Sequence, residues 1–162
     1  MIRRILVPLD GSELAEGVLP QVKDLARSLH ARIHLVRTYD VSDEEIIDLG
    51  REASTDPTGA VEAIRRAEKD GRREAEHYLS GVAHRLRGED IEASWKVVQG
   101  RAADKIVGLA HSEKADLIAM STHGRTGLDR VVFGSVAEEV LRSVGIPVLL
   151  VRPKLKGDQE QE

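Results

Sequence analysis

The residue types best suited to holding an anion fall in two short stretches. One is Asp10-Gly11-Ser12. The other runs over 121–136, from Ser121-Thr122-His123-Gly124-Arg125 to Gly134-Ser135-Val136. Gly124 and Gly134 carry no side chain, so a ligand can approach bare backbone there. Ser135 with Glu138 three residues on has the pattern of a capping box and marks a helix start. The free N–H groups and positive dipole end of such a helix attract negative charge. Taken singly, these residues read as ordinary turn glycines, a cap and solvated loop cations. They make one site only if the two stretches meet.

The elements around them decide whether they can. Leu117-Ile118-Ala119-Met120 is an uncharged run, as expected for a strand buried on both faces of a parallel sheet. Ile5-Leu6-Val7-Pro8-Leu9 is a second such run, with Pro8 marking its end. A helix is predicted over 12–29, with Leu14, Val18, Val22, Leu25, Ala26 and Leu29 on one face. A strand follows over 31–38. Residues 40–59 turn polar and carry a second capping box, Ser42-Asp43-Glu44-Glu45, and a loop at Asp56-Pro57-Thr58-Gly59. This segment reads as an insertion or flap. A long helix over 60–87 buries Ile64, Ala67, Ala75, Tyr78, Leu79, Val82 and Leu86, with Gly71 a weak point. Then come a strand over 92–98, a helix over 102–114 with Ile106, Leu109 and Ala110 inward, an apolar patch at Val131-Val132-Phe133, and a last strand over 146–151. The charged tail, 154–162, is expected to be disordered.

Strand and helix alternate throughout, which implies a single-domain α/β fold with an open parallel sheet and helices on both faces. In such sheets ligands sit beyond the strand carboxyl ends, where the strand order reverses. Both chemistry-bearing stretches follow strand carboxyl ends. Spacing alone leaves open whether the first and fourth strands are neighbours.

Composition removes several classes. The chain of 162 residues has a formal net charge of −4, against the basic surface that sequence-independent nucleic-acid binding needs. It has no cysteine, so disulfides and cysteine-held metal sites are excluded. No apolar run approaches the roughly 20 residues of a membrane span, and no cleavable signal pattern follows Met1. The expected setting is the cytoplasm. GxxxxGK[ST], GxGxxG and GxSxG are all absent. His77 and His84 share a helix face at a spacing that reads as solvated surface rather than a metal site.

The second stretch resembles the signature of the universal stress protein family, G-x2-G-x9-G-[ST] after the fourth strand. Gly124, Gly134 and Ser135 fill three of its anchors, while Ser121 stands where the first glycine is expected. The VPLDGS segment near the start, STHGRTGLDRVVFGSVAEEVL and the closing PVLLVRP also look like the family. The resemblance covers about 1–39 and 60–153, and so implies one domain over 1–153.

It implies the strand order 3-2-1-4-5, and ATP in the crevice beside the first and fourth strands. Pro8 and Asp10 would then flank the nucleotide, with Mg2+ bridging Asp10 to the phosphates. The backbone of Thr38 would meet adenine. Met120 and Ser121 would border adenine and ribose. His123, Gly124 and Arg125 would reach the phosphates, and Gly134, Ser135 and Val136 would cradle phosphate at the helix tip. The last strand, Val148–Val151, would pair with its copy in a homodimer, its apolar edge inviting such pairing. The leading functional expectation is a nucleotide-dependent regulatory dimer in stress response, acting on a protein partner not identified by the sequence and without fast turnover. The alternatives are a slow Mg-dependent ATPase and a dimer that binds no nucleotide.

Overall fold

The computed structural model describes residues 1–40, 47, 51, 57–122 and 134–153. Among them the chain runs β1 (Arg4–Pro8), α1 (Glu13–Glu16), α2 (Leu19–Leu29), β2 (Arg32–Tyr39), α3 (Pro57–Arg87), β3 (Ala93–Gln99), α4 (Ala102–Ser112), β4 (Leu117–Ser121), α5 (Ser135–Ser143) and β5 (Val148–Val151). All five strands are parallel, in the order β3-β2-β1-β4-β5. The sheet reverses direction of build between β1 and β4, which places those two strands side by side.

The two-residue period of the strands divides the core in two. Ile5, Val7, Ile33, Leu35, Leu117 and Ala119 point to one face and pack against Val18, Val22 and Ala26 on the α2 side and Leu79, Val82 and Leu86 of α3. Leu6, Val36, Ile118 and Met120 point to the other and meet Ile106, Leu109 and Ala110 of α4 and Ala137 and Val140 of α5. Both faces are covered, so the inner strands can be apolar throughout. The expected face of α3 is fully buried only in its second half: Ala75, Leu79, Val82 and Leu86 are inside, while Ile64 and Ala67 are half-buried.

Three local expectations change. The predicted helix over 12–29 is two helices, with turns at Gly17 and Val18 between α1 and α2. Pro20 lies in the first turn of α2, where it has no N–H to give back to an earlier carbonyl, so the helix restarts rather than continues. At the break, Gly17 packs against Pro153; a Cβ there would come 2.5 Å from the proline's own Cβ. Second, the expected loop at 56–59 is mostly helix: α3 begins at Pro57, whose fixed φ suits a first turn. Third, Ser135 is not the cap of α5. Gly134 takes that place in extended conformation, with no side-chain cap bond. The second capping box, the Val131–Phe133 patch and the 154–162 tail lie outside the described residues.

Candidate functional site

At the carboxyl ends of β1, β2 and β4 the sheet opens into a crevice of about 260 Å³. Eight of the expected site residues line it: Pro8, Asp10, Thr38, Met120, Ser121, Gly134, Ser135 and Val136. His123, Gly124 and Arg125 lie outside the described residues. Sequence reasoning had placed neither Val36 nor Ala102 and Ile106 of α4 on its apolar wall. It also missed Arg37.

Each wall has an identifiable cause. The Leu9 N–H donates to the Val36 carbonyl at 2.9 Å, which carries β1 against β2 up to the rim. Beyond it, the Ser12 N–H donates to Asp10 Oδ1 at 2.8 Å, an Asx turn that fixes the Asp10 carboxylate. Gly11 sits in that turn at φ +93°, a left-handed conformation that favours glycine. Ser12 then caps α1, its hydroxyl accepting the Ala15 N–H at 3.0 Å. Across the crevice, the Glu138 N–H to Gly134 carbonyl bond, 3.0 Å, is the first of α5. The amides of Ser135, Val136 and Ala137 precede it and have no intrahelical acceptor. Their partial positive charge faces the crevice that the same residues line.

Ser121 keeps its hydroxyl busy. It donates to the Ala15 carbonyl at 3.2 Å, tying the end of β4 to α1. A residue that departs from the glycine of the signature is therefore accommodated by a bond to the neighbouring helix.

Arg37 leads into a polar cluster under the Asp10 turn. Its guanidinium donates to Glu74 Oε1 of α3 at 2.9 Å and lies 5.2 Å from the centre of the Tyr78 ring. It also covers Gly11, since a Cβ on that glycine would be 3.3 Å from Arg37 Nη1. The Tyr78 hydroxyl donates to Glu16 at 2.9 Å, and Arg85 reaches the other oxygen of Glu16 at 2.7 Å. Burial, then this bond to an anionic acceptor, holds the Tyr78 phenol well above its ordinary pKa. It stays a neutral donor.

Among the described residues no three His, Asp or Glu side chains converge as a metal-ligand set. Among the described residues that line the crevice, Asp10 alone offers a carboxylate, and one of its oxygens is already engaged by Ser12. One such carboxylate does not make a metal cage of protein ligands.

The fold and this crevice define an open α/β domain whose concave site lies at the topological switch point of its sheet. The chain belongs to the universal stress protein family, whose model matches residues 1–152. It is 31% identical over 156 residues to the universal stress protein MJ0531 of Methanocaldococcus jannaschii, covering 96% of this chain and 85% of that protein. The solved structure of MJ0577 from the same organism superposes with a TM-score of 0.72 at 27% identity, covering 95% of this chain and 98% of the other. A universal stress protein from Archaeoglobus fulgidus, solved in complex with dAMP, has a TM-score of 0.61 at 21% identity over 94% of this chain and 98% of its own, a likeness of fold.

Proposed function

We propose that this chain is an adenine-nucleotide-binding regulatory protein that takes ATP with Mg2+ in the crevice. The observation that carries the reading is the convergence of the Asp10–Ser12 turn, the end of β2 and the uncapped tip of α5 on one apolar-walled cleft. Met120, Val36 and Ile106 offer a surface for a flat base, and the Thr38 backbone offers its hydrogen-bonding edge. The α5 amides suit a phosphate, with His123, Gly124 and Arg125 completing the phosphate side. Asp10 holds the metal. The complex of the Archaeoglobus fulgidus relative with dAMP supports an adenine nucleotide as the ligand.

Among the described residues that line the crevice, Asp10 is the one ionisable acid and no histidine is present. On this reading the nucleotide is held for signalling rather than turned over quickly. The regulator acts in the cytoplasm as a homodimer joined through β5, the edge strand of the sheet. Nucleotide changes the surface that a protein partner meets.

The test is direct. Purified protein is denatured and its supernatant analysed by mass spectrometry, and ATP binding is measured for wild type and Gly134→Val. Gly134 has φ −60° and ψ 151°, which valine adopts without strain. The variant should keep its circular dichroism and lose ATP. Copurified ATP supports the regulator, and ADP or AMP supports slow hydrolysis. ATP binding by Gly134→Val as tight as that of wild type would place the ligand elsewhere.

A further inference from the structure

We infer that Arg37 reads the phosphate charge of the crevice's ligand, leaving Glu74 for the outer phosphates of a nucleoside di- or triphosphate. This rests on the nucleotide reading above and goes beyond it by assigning a residue outside the signature stretch and a preference among nucleotides.

Among the described residues that line the crevice, Arg37 carries the one positive charge, in a protein of net charge −4. Its position is set by the strand. β2 alternates, so Val36 faces the α4 side while Leu35 and Arg37 face α3. At the rim, where β2 runs out from under α3, that direction delivers the guanidinium beside Gly11, next to Asp10.

Two features make it a group that can change partners. Its side chain is only 17% exposed, whereas that of Glu74 is 71% exposed. An ion pair with so solvated a carboxylate contributes little. A multiply charged phosphate in the crevice, away from bulk water and with a geometry suited to the guanidinium fork, is the stronger acceptor. Meanwhile the Tyr78 ring supports the guanidinium plane whichever anion it faces. The phenol cannot follow it as a competing anion, because it stays protonated against Glu16. Gly11 completes the arrangement, since any side chain there would press on Arg37 Nη1.

Glu74 thus acts as a placeholder. It sits on α3, four residues before Tyr78, so exchange of Arg37 from carboxylate to phosphate releases one tie between the crevice and that helix. The ligand class follows from the charge: ATP and ADP gain from Arg37, AMP gains less, and adenosine gains nothing.

The experiment is calorimetric titration of wild type, Arg37→Gln and Glu74→Gln with ATP and with adenosine. Circular dichroism serves as the check of folding. Arg37→Gln should bind ATP about tenfold more weakly, the loss of one charge-assisted hydrogen bond, while adenosine affinity stays within about twofold. Glu74→Gln should bind ATP more tightly and adenosine unchanged. Equal weakening toward both ligands, or toward neither, would make Arg37 a structural residue and overturn the inference while leaving the nucleotide site standing. Wild type that binds neither ligand would remove the nucleotide reading itself, and this inference with it.

Discussion

Replacing Ser121 by alanine and by glycine measures how this chain accommodates its departure from the family signature. Ser121 Oγ donates to the Ala15 carbonyl at 3.2 Å in a part-buried setting. A neutral hydrogen bond of this kind contributes about 0.5–1.5 kcal/mol net. The Ala15 carbonyl also accepts the Val18 N–H at 3.4 Å, so it is not left bare when the hydroxyl goes. The loss in Ser121→Ala therefore belongs in the lower half of that range, about 0.5–1 kcal/mol. Ser121→Gly adds the entropy of a glycine in a strand, about another 0.5–1 kcal/mol, for about 1–2 kcal/mol in all. Urea unfolding reads these values, and thermal unfolding should fall by about 2–4 °C per kcal/mol. The local signature is hydrogen exchange. The α1 amides, such as Gly17 N–H bonded to the Glu13 carbonyl, should exchange faster in both variants, while those of α4 should not. If Ser121→Gly proved as stable as wild type with unchanged exchange in α1, the hydroxyl would not be holding α1 to β4.

Two further outcomes test other parts of the structure. His34 Nδ1 lies 2.7 Å from Ser94 Oγ, and its Nε2 is buried with no partner among the described residues. Burial holds its pKa below 6.5; Glu113 opposes this, and Lys96 and Arg4 reinforce it. The unfolded chain then binds the proton more readily, so stability is full above the unfolded value and falls as pH drops below it. Urea unfolding between about pH 8 and about pH 5.5 should show that loss in wild type and a flatter dependence in His34→Asn. The Ile118 N–H donates to the Pro147 carbonyl, and the Thr122 N–H to the Val151 carbonyl. Strand alternation therefore turns the backbone groups of Val148 and Leu150 to the open edge of the sheet. Under the proposed dimer through β5, Leu150→Pro deletes one outward donor and no bond to β4, so light scattering should find wild type dimeric and the variant a folded monomer. A folded variant that stays dimeric would move the interface off β5.

Much of the architecture could be read from the residues, because the fold depends on runs of apolar side chains. LIAM and ILVPL signal strands buried on both faces, and the alternation with helices dictates a parallel sheet. The neighbouring of β1 and β4 could not be read this way, since strand order depends on long-range packing; family resemblance supplied it. Periodicity also ran α1 and α2 together, because Leu14, Val18 and Val22 keep helical spacing across a break that Pro20 sets. Ser135 has the side chain of a cap, but the backbone arrives extended at Gly134 and the cap moves one residue back. Arg37 was missed for a related reason. Strand parity says which face a residue takes, but that Glu74, Tyr78 and Gly11 meet there is a tertiary fact.

A helix whose cap residue is a glycine can draw an increment of order from an anion that docks at its tip. Because Gly134 supplies no oxygen to the opening turn of α5, a bound anion would stabilise the domain in proportion to the logarithm of its concentration. Resistance to unfolding, and with it survival against cellular proteases, would then follow the supply of that small molecule. Under the proposed function, the abundance of the protein would follow the cell's supply of adenine di- and triphosphates, with no catalytic step required.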